Sequence, residues 1–166
     1  MSEVVYSEHA EQAELLRWSR EAAVLAKYPE VEWLFAVPNG AKLPYTGTGR
    51  SRRCKQAGIL KQEGLKAGVP DLVLPVAMGQ YHCLFIELKR NSSRARVSDD
   101  QAKWIWALRA LGHKAVVRFG WESARNTIID YLELNVDYMA MGKVDHVPAS
   151  YDDFLNELKQ ERIHER

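Results

Sequence analysis

Two apolar runs on either side of a short turn constrain this chain more than anything else in it. Leu72-Val73-Leu74 follows Asp71, and the stretch from Tyr81 is largely apolar until it meets Glu87 and Lys89. Met78-Gly79-Gln80 lies between them and reads as a turn, so Asp71–Val76 and Tyr81–Leu88 are predicted to form a β-hairpin. A run with so little alternation suits a central strand covered on both faces. Side chains alternate along a strand, which puts Glu87 and Lys89 on one side and Leu88 on the other. Asp71 opens its strand and Glu87 closes the next, so antiparallel pairing sets the two ends side by side. Two carboxylates and an amine are therefore expected at one edge of a buried sheet.

That trio suits a hard divalent cation. Mg²⁺ takes oxygen ligands, and one or two carboxylates with water and substrate phosphate suffice. Asp71 and Glu87 are the candidate ligands, and the backbone carbonyl of Leu88 offers a third oxygen. Such a cation polarises a phosphodiester and activates water. Lys89 beside it would serve the attacking water or the charge of the transition state. A Glu-x-Lys pair alone is most often a surface salt bridge at a strand end, and a Pro-Asp alone is often a turn. It is their occurrence together, Val69-Pro70-Asp71 one hairpin strand before Glu87-Leu88-Lys89, that favours the chemical reading.

The remaining elements surround this hairpin. Ser7 to Lys27 is predicted as an amphipathic helix capped by Ser7, with Ala10, Leu15, Trp18, Ala22 and Leu25 at near-helical spacing. Tyr28-Pro29 ends it. Trp33–Val37 reads as a strand, and Pro38-Asn39-Gly40 opens a long loop. Arg50 to Lys66 is polar, basic and helical in pattern. Ser98-Asp99-Asp100-Gln101 has the form of a capping box, and its helix runs to Leu111 with Gly112 as its stop. Ala115–Phe119 is a further strand and Trp121–Leu132 a further helix. Tyr151 to Ile163 is an amphipathic tail helix after a linker near Val147-Pro148. The predicted order is helix, strand, helix, hairpin, helix, strand, helix, which makes an α/β fold with a small mixed sheet flanked by helices.

At 166 residues the chain fits one domain with an appendage. No apolar run is long enough to span a bilayer, and the start of the sequence lacks the features of a signal peptide. These features predict a cytoplasmic protein that does not engage membranes. Cys54 and Cys83 stand in no metal-ligand spacing. With 23 Lys and Arg against 22 Asp and Glu the formal net charge is only +1, so bulk charge announces no polyanionic partner. Its distribution does. Lys42, Arg50, Arg52, Arg53, Lys55, Lys61 and Lys66 face one acid, Glu63, and Lys89, Arg90, Arg94 and Arg96 form a second cluster. Local basic fields of this kind attract phosphates even on a near-neutral chain, although either cluster is also readable as a solvated face.

The motifs taken together resemble a known family. Pro70-Asp71 with Glu87-Leu88-Lys89 is similar to the signature of the PD-(D/E)xK nuclease superfamily. The longer series Val37-Pro38-Asn39-Gly40, Lys61-Gln62-Glu63-Gly64, Ala67-Gly68-Val69-Pro70-Asp71, Leu84 to Lys89 and Ser98 to Gln101 resembles the VRR-NUC (virus-type replication-repair nuclease) domain. Trp104, Gly112, Gly120-Trp121 and Tyr131-Leu132 continue the likeness. It spans residues 5–133 and leaves 134–166 as linker and tail helix. The form is similar to the stand-alone version carried by phages and prophages, which would place the protein in the cytoplasm of a bacterial host.

The resemblance implies a restriction-endonuclease-like core and a Mg²⁺- or Mn²⁺-dependent endonuclease acting on DNA. It further implies selectivity for branched DNA such as four-way junctions or flaps, for which a homodimer would present two sites. Asp71, Glu87 and Lys89 carry over as catalytic residues. Glu8, with Gln12 four residues on, matches the family's first-helix carboxylate, Glu11 being its competitor, and is expected to assist the metal directly or through water. Gln101 matches a site glutamine, with helix capping as its rival role. Asn39 matches the family's Pro-Asn-Gly. The segment between Gly40 and Lys61 departs from the family pattern, so Arg50, Arg52, Arg53, Lys55 and Lys61 are expected to contact phosphate as a group, without reading sequence.

Two other classes compete. A non-catalytic DNA-binding module would use the same basic patches, but it has no need of the intact Asp, Glu and Lys set. A metal enzyme acting on a small phosphorylated substrate would be expected to carry a Gly-rich phosphate loop, and none is present.

Overall fold

The structure, a computed structural model, describes residues 6–38, 55–134, 148 and 150–164. A four-stranded mixed sheet organises them, in the order β1 (Phe35–Ala36), β2 (Leu72–Leu74), β3 (Leu84–Lys89) and β4 (Lys114–Phe119). β1 and β2 pair antiparallel, as do β2 and β3, while β3 and β4 run parallel. The hairpin forms as expected, with shorter strands and a Met78↔Tyr81 bridge closing its tip. β3 is interior, and every residue in it except Phe85 is buried, as its apolar run requires.

Two cores lie on opposite faces of the sheet. Leu72, Leu74, Leu84, Ile86 and Leu88 pack with Leu15 and Trp18 of α1 (Glu8–Trp18) and with Ala124, Ile128 and Tyr131 of α5 (Trp121–Leu132). Ala115 and Val117 pack on the other face with Ala102, Ile105 and Leu108 of α4 (Asp99–Ala110) and with Phe154 of α6 (Tyr151–His164). The tail helix is therefore built into the body of the fold. Phe154, the anchor of its apolar face, is fully buried, so that residue is unavailable as the dimer contact that an amphipathic tail suggests.

Three local expectations need correction. The first helix is not continuous to Lys27: Ser19 closes α1, a turn intervenes, and α2 spans Ala22–Lys27. The Ser19 hydroxyl donates to the Leu16 carbonyl at 2.9 Å, the kind of local side-chain bond that competes with helix continuation. The strand expected from Trp33 shrinks to Phe35–Ala36, because Pro29–Trp33 winds into a 3₁₀ turn with proline at its start. The basic helix expected over Arg50–Lys66 ends early: α3 covers Lys55–Gln62 and stops short of Lys66, while residues 50–54 lie outside the described residues.

Candidate active site

The sheet register explains how the site assembles. Leu72 faces Ile86 across the β2–β3 pair, and one residue further Asp71 lies beside Glu87, on the face opposite the Leu15 core. β1 adds a third segment, since the Val37 N–H donates to the Asp71 carbonyl at 2.8 Å. Asp71 turns its side chain onto β3, where Oδ2 accepts the Leu88 N–H at 3.0 Å.

The approach to Asp71 is clamped against α4. Gly68 has φ +80°, and a Cβ there would lie 2.5 Å from the backbone carbon of Asp100, so only glycine fits. The Trp104 indole N–H donates to the Ala67 carbonyl at 3.0 Å, fastening the same stretch one helical turn further along α4. Composition and periodicity gave no reason to place Gly68 at the site. The signal was its position in Ala67-Gly68-Val69-Pro70-Asp71.

Glu87 is 1% exposed and Lys89 6% exposed. Lys89 Nζ sits 2.8 Å from Glu87 Oε1, and Gln101 Nε2 donates to the same oxygen. Gln101 meanwhile accepts the Ser98 N–H at 2.9 Å through Oε1 while its own N–H donates to Ser98 Oγ, completing the capping box. The two roles weighed for Gln101 therefore coexist: capping fixes the amide that holds Glu87. The other oxygen, Glu87 Oε2, is buried and accepts no hydrogen bond.

This crowding shows in the acidities. Burial, then the charge of Asp71, pushes the Glu87 carboxyl up to about 7 against the opposing pull of Lys89. Burial likewise raises Asp71, opposed by the Leu88 N–H and the charge of Lys89. Two carboxylates that resist ionising together form a place where added positive charge is favourable.

The two candidate carboxylates of α1, Glu8 and Glu11, differ sharply. Glu8 is half exposed, and its Oε1 lies 3.9 Å from Lys89 Nζ. Glu11 is 2% exposed and is saturated by backbone donors: Oε2 accepts from Trp121 N at 2.9 Å and Oε1 from Asn91 N at 3.3 Å. Among the described residues no three His, Cys, Asp or Glu groups form a joint metal cage. Asp71 and Glu87 are thus the close pair, with Glu8 reaching the site through Lys89.

The basic loop is only partly visible. Asn39, Arg50, Arg52 and Arg53 lie outside the described residues, Lys55 opens α3, and Lys61 is exposed in its last turn.

A mixed sheet with helices on both faces and an Asp, Glu and Lys gathered where β2 meets β3 defines a nuclease-type domain. The particular family follows from comparison: residues 7–119 match the model of the VRR-NUC domain, so the chain belongs to that family of DNA-processing nucleases. A solved structure described as a "VRR_NUC domain protein" is similar, with a TM-score of 0.61 and 26% identity over 80% of this chain and 93% of that one. No curated protein matches the chain.

Proposed function

We propose that the protein is a metal-dependent DNA endonuclease in which Asp71 and Glu87 hold Mg²⁺ or Mn²⁺. The observation that carries this reading is the orphaned, buried Glu87 Oε2 beside a second carboxylate. A buried polar atom without a partner is costly, and a cation is the partner two crowded carboxylates favour. The donor chemistry fits, being all oxygen, with the Leu88 carbonyl as a further candidate on the same strand. When bound, the cation polarises the scissile phosphodiester and makes water more acidic.

The chain's own residues do the rest. Gln101 and Lys89 both hold Glu87 Oε1, leaving Oε2 as the free oxygen. Lys89 orients the attacking water or neutralises charge developing on the phosphate. Glu8, exposed and 3.9 Å from Lys89, assists the ion directly or through water. Lys61, and Arg50, Arg52, Arg53 and Lys55 with Asn39, bring phosphates to the site without sequence readout. Selectivity for flaps or four-way junctions, action as a homodimer on junctions, a phage or prophage origin and a place in the bacterial cytoplasm rest on the family likeness alone. No described helix is long and apolar enough to cross a membrane.

One experiment tests the reading. The protein is incubated with duplex, single-stranded, flap and four-way-junction DNA in Mg²⁺, Mn²⁺ or EDTA, alongside Asp71→Ala and Lys89→Ala. Cutting that needs metal and is lost in both variants is expected. Binding without cutting at any metal concentration would turn the protein into a binding module.

A further inference from the structure

We infer that a groove beside the carboxylates, roofed by the tail helix, is a pocket for an unpaired nucleobase of the DNA substrate. The inference rests on the DNA-processing reading and deepens it by naming what the site would recognise in that DNA. The cavity has a volume of about 360 Å³, and its apolar walls are Val97, Val117, Phe119, Leu155 and Leu158. That volume lies at the small end of the range for ligand pockets, roughly 300–1,000 Å³.

Three observations select the occupant. The first is position: Val117 and Phe119 are the β4 register partners of Glu87 and Lys89. Partnered residues on neighbouring strands share a sheet face, so the strand that floors the pocket lies next to the one that carries Glu87 and Lys89, about 5 Å apart backbone to backbone. The second is charge: Arg96, from the loop before α4, and Lys159, from α6, both line the slot and are exposed, two cations against the one acid Asp99. They extend the basic run of Arg90 and Arg94, to which the catalytic reading gives no task. An apolar slot between two cations suits a base with its flanking phosphates. The third is polarity within the slot. Ser98 and Asp99 contribute to the lining, and their oxygens can accept from a base's N–H groups. A paired base is held in its stack, whereas a base at a branch, gap or flap is already free to enter, so the pocket favours DNA with unpaired nucleotides. α6, which supplies one wall, lies outside the residues that match the family.

The test uses the full chain in EDTA with two DNA duplexes of equal length and charge. One carries an unpaired 2-aminopurine, and in the other that base is paired. The expected result is at least about fivefold tighter binding of the unpaired form, with its 2-aminopurine shielded from acrylamide. Leu158→Trp, which fills the slot, should abolish both the preference and the shielding. Val97→Trp fills it from the loop side and serves if the first variant melts early. Lys159→Ala, at an exposed position that cannot unfold the protein, should weaken both duplexes and lower the salt dependence of binding by about one ion. Equal affinities and an accessible base overturn the pocket. The same result with self-association that Leu158→Trp abolishes overturns it in favour of a second copy of the chain. Cutting of the same duplexes in Mn²⁺ is scored separately: cutting without shielding overturns the pocket and leaves the nuclease standing, and shielding without cutting supports the pocket and removes the nuclease.

Discussion

The junction where α1 meets α5 and the mouth between β2, β3 and α4 each bury a carboxylate, and they treat it in opposite ways. Glu11 is 2% exposed and Glu87 1%. Glu11 spends both oxygens on backbone donors, Trp121 N and Asn91 N. The first is the N-terminal N–H of α5, a helix whose N-cap is Gly120 and has no side-chain cap of its own. A carboxylate there satisfies an orphan donor and the helix dipole together. Glu87 has two partners on one oxygen and none on the other. Burial alone therefore does not separate the two acids; an unspent lone pair does.

The contrast is sharpest under substitution. Glu87→Gln keeps shape and volume but removes the charge that would hold a cation. It is expected to cut metal-dependent cleavage by on the order of 10³-fold, while in EDTA the melting temperature holds or rises because a resisted buried charge is gone. Glu11→Ala should reverse the pattern. It strands two buried backbone N–H groups and is expected to cost about 3 kcal/mol in urea unfolding, with cleavage falling only as far as folding does. If Glu11→Ala abolished cutting in a fully folded protein, the division between the two acids would collapse.

A smaller effect tests the clamp that delivers Asp71. Gly68→Ala puts a methyl into the Asp100 backbone at a left-handed φ. A loss of about 2 kcal/mol is expected, together with slower cutting, because Asp71 and Gln101 are positioned from the two sides of that contact. Unchanged stability and rate would mean that the Ala67–Pro70 stretch is free to reposition.

These comparisons also show what was legible beforehand. The hairpin, its polarity and the meeting of Asp71 with Glu87 followed from an apolar run and the period of two along a strand. The capping box at Ser98 was readable because four consecutive side chains define it. What escaped depends on contacts distant in sequence. Nothing local to Glu11 announces a bond to Trp121; the break at Ser19 is local by contrast, but a serine within a helical pattern is compatible with either outcome. Glu8 and Glu11, three residues apart on one helix, are indistinguishable in pattern, and only the packing of α1 against α5 separates them. The tail helix was recognised by its amphipathic period, but the surface that receives Phe154 is made by α4 and β4, which no window on the tail contains.

The subtlest consequence of the comparison is a pH dependence confined to one of the two acids. Glu87 in the folded chain titrates at about 7, above its ordinary 4.5. A raised carboxylate binds more protons folded than unfolded across that interval, so stability falls as pH climbs from 4.5 towards 7 and then levels. Asp71 is raised too and adds to the slope from the lower end. The effect is expected to be on the order of 3 kcal/mol over that interval, the pull of Lys89 being already contained in the value. Urea midpoints of the metal-free protein from pH 5 to 8 should therefore decline for the wild type and decline less for Glu87→Gln. A cation displaces those protons, so Mg²⁺ should raise the midpoint more at pH 8 than at pH 5. A wild-type slope equal to that of Glu87→Gln would show that the unspent oxygen already has a partner, and would erase the distinction between Glu87 and Glu11.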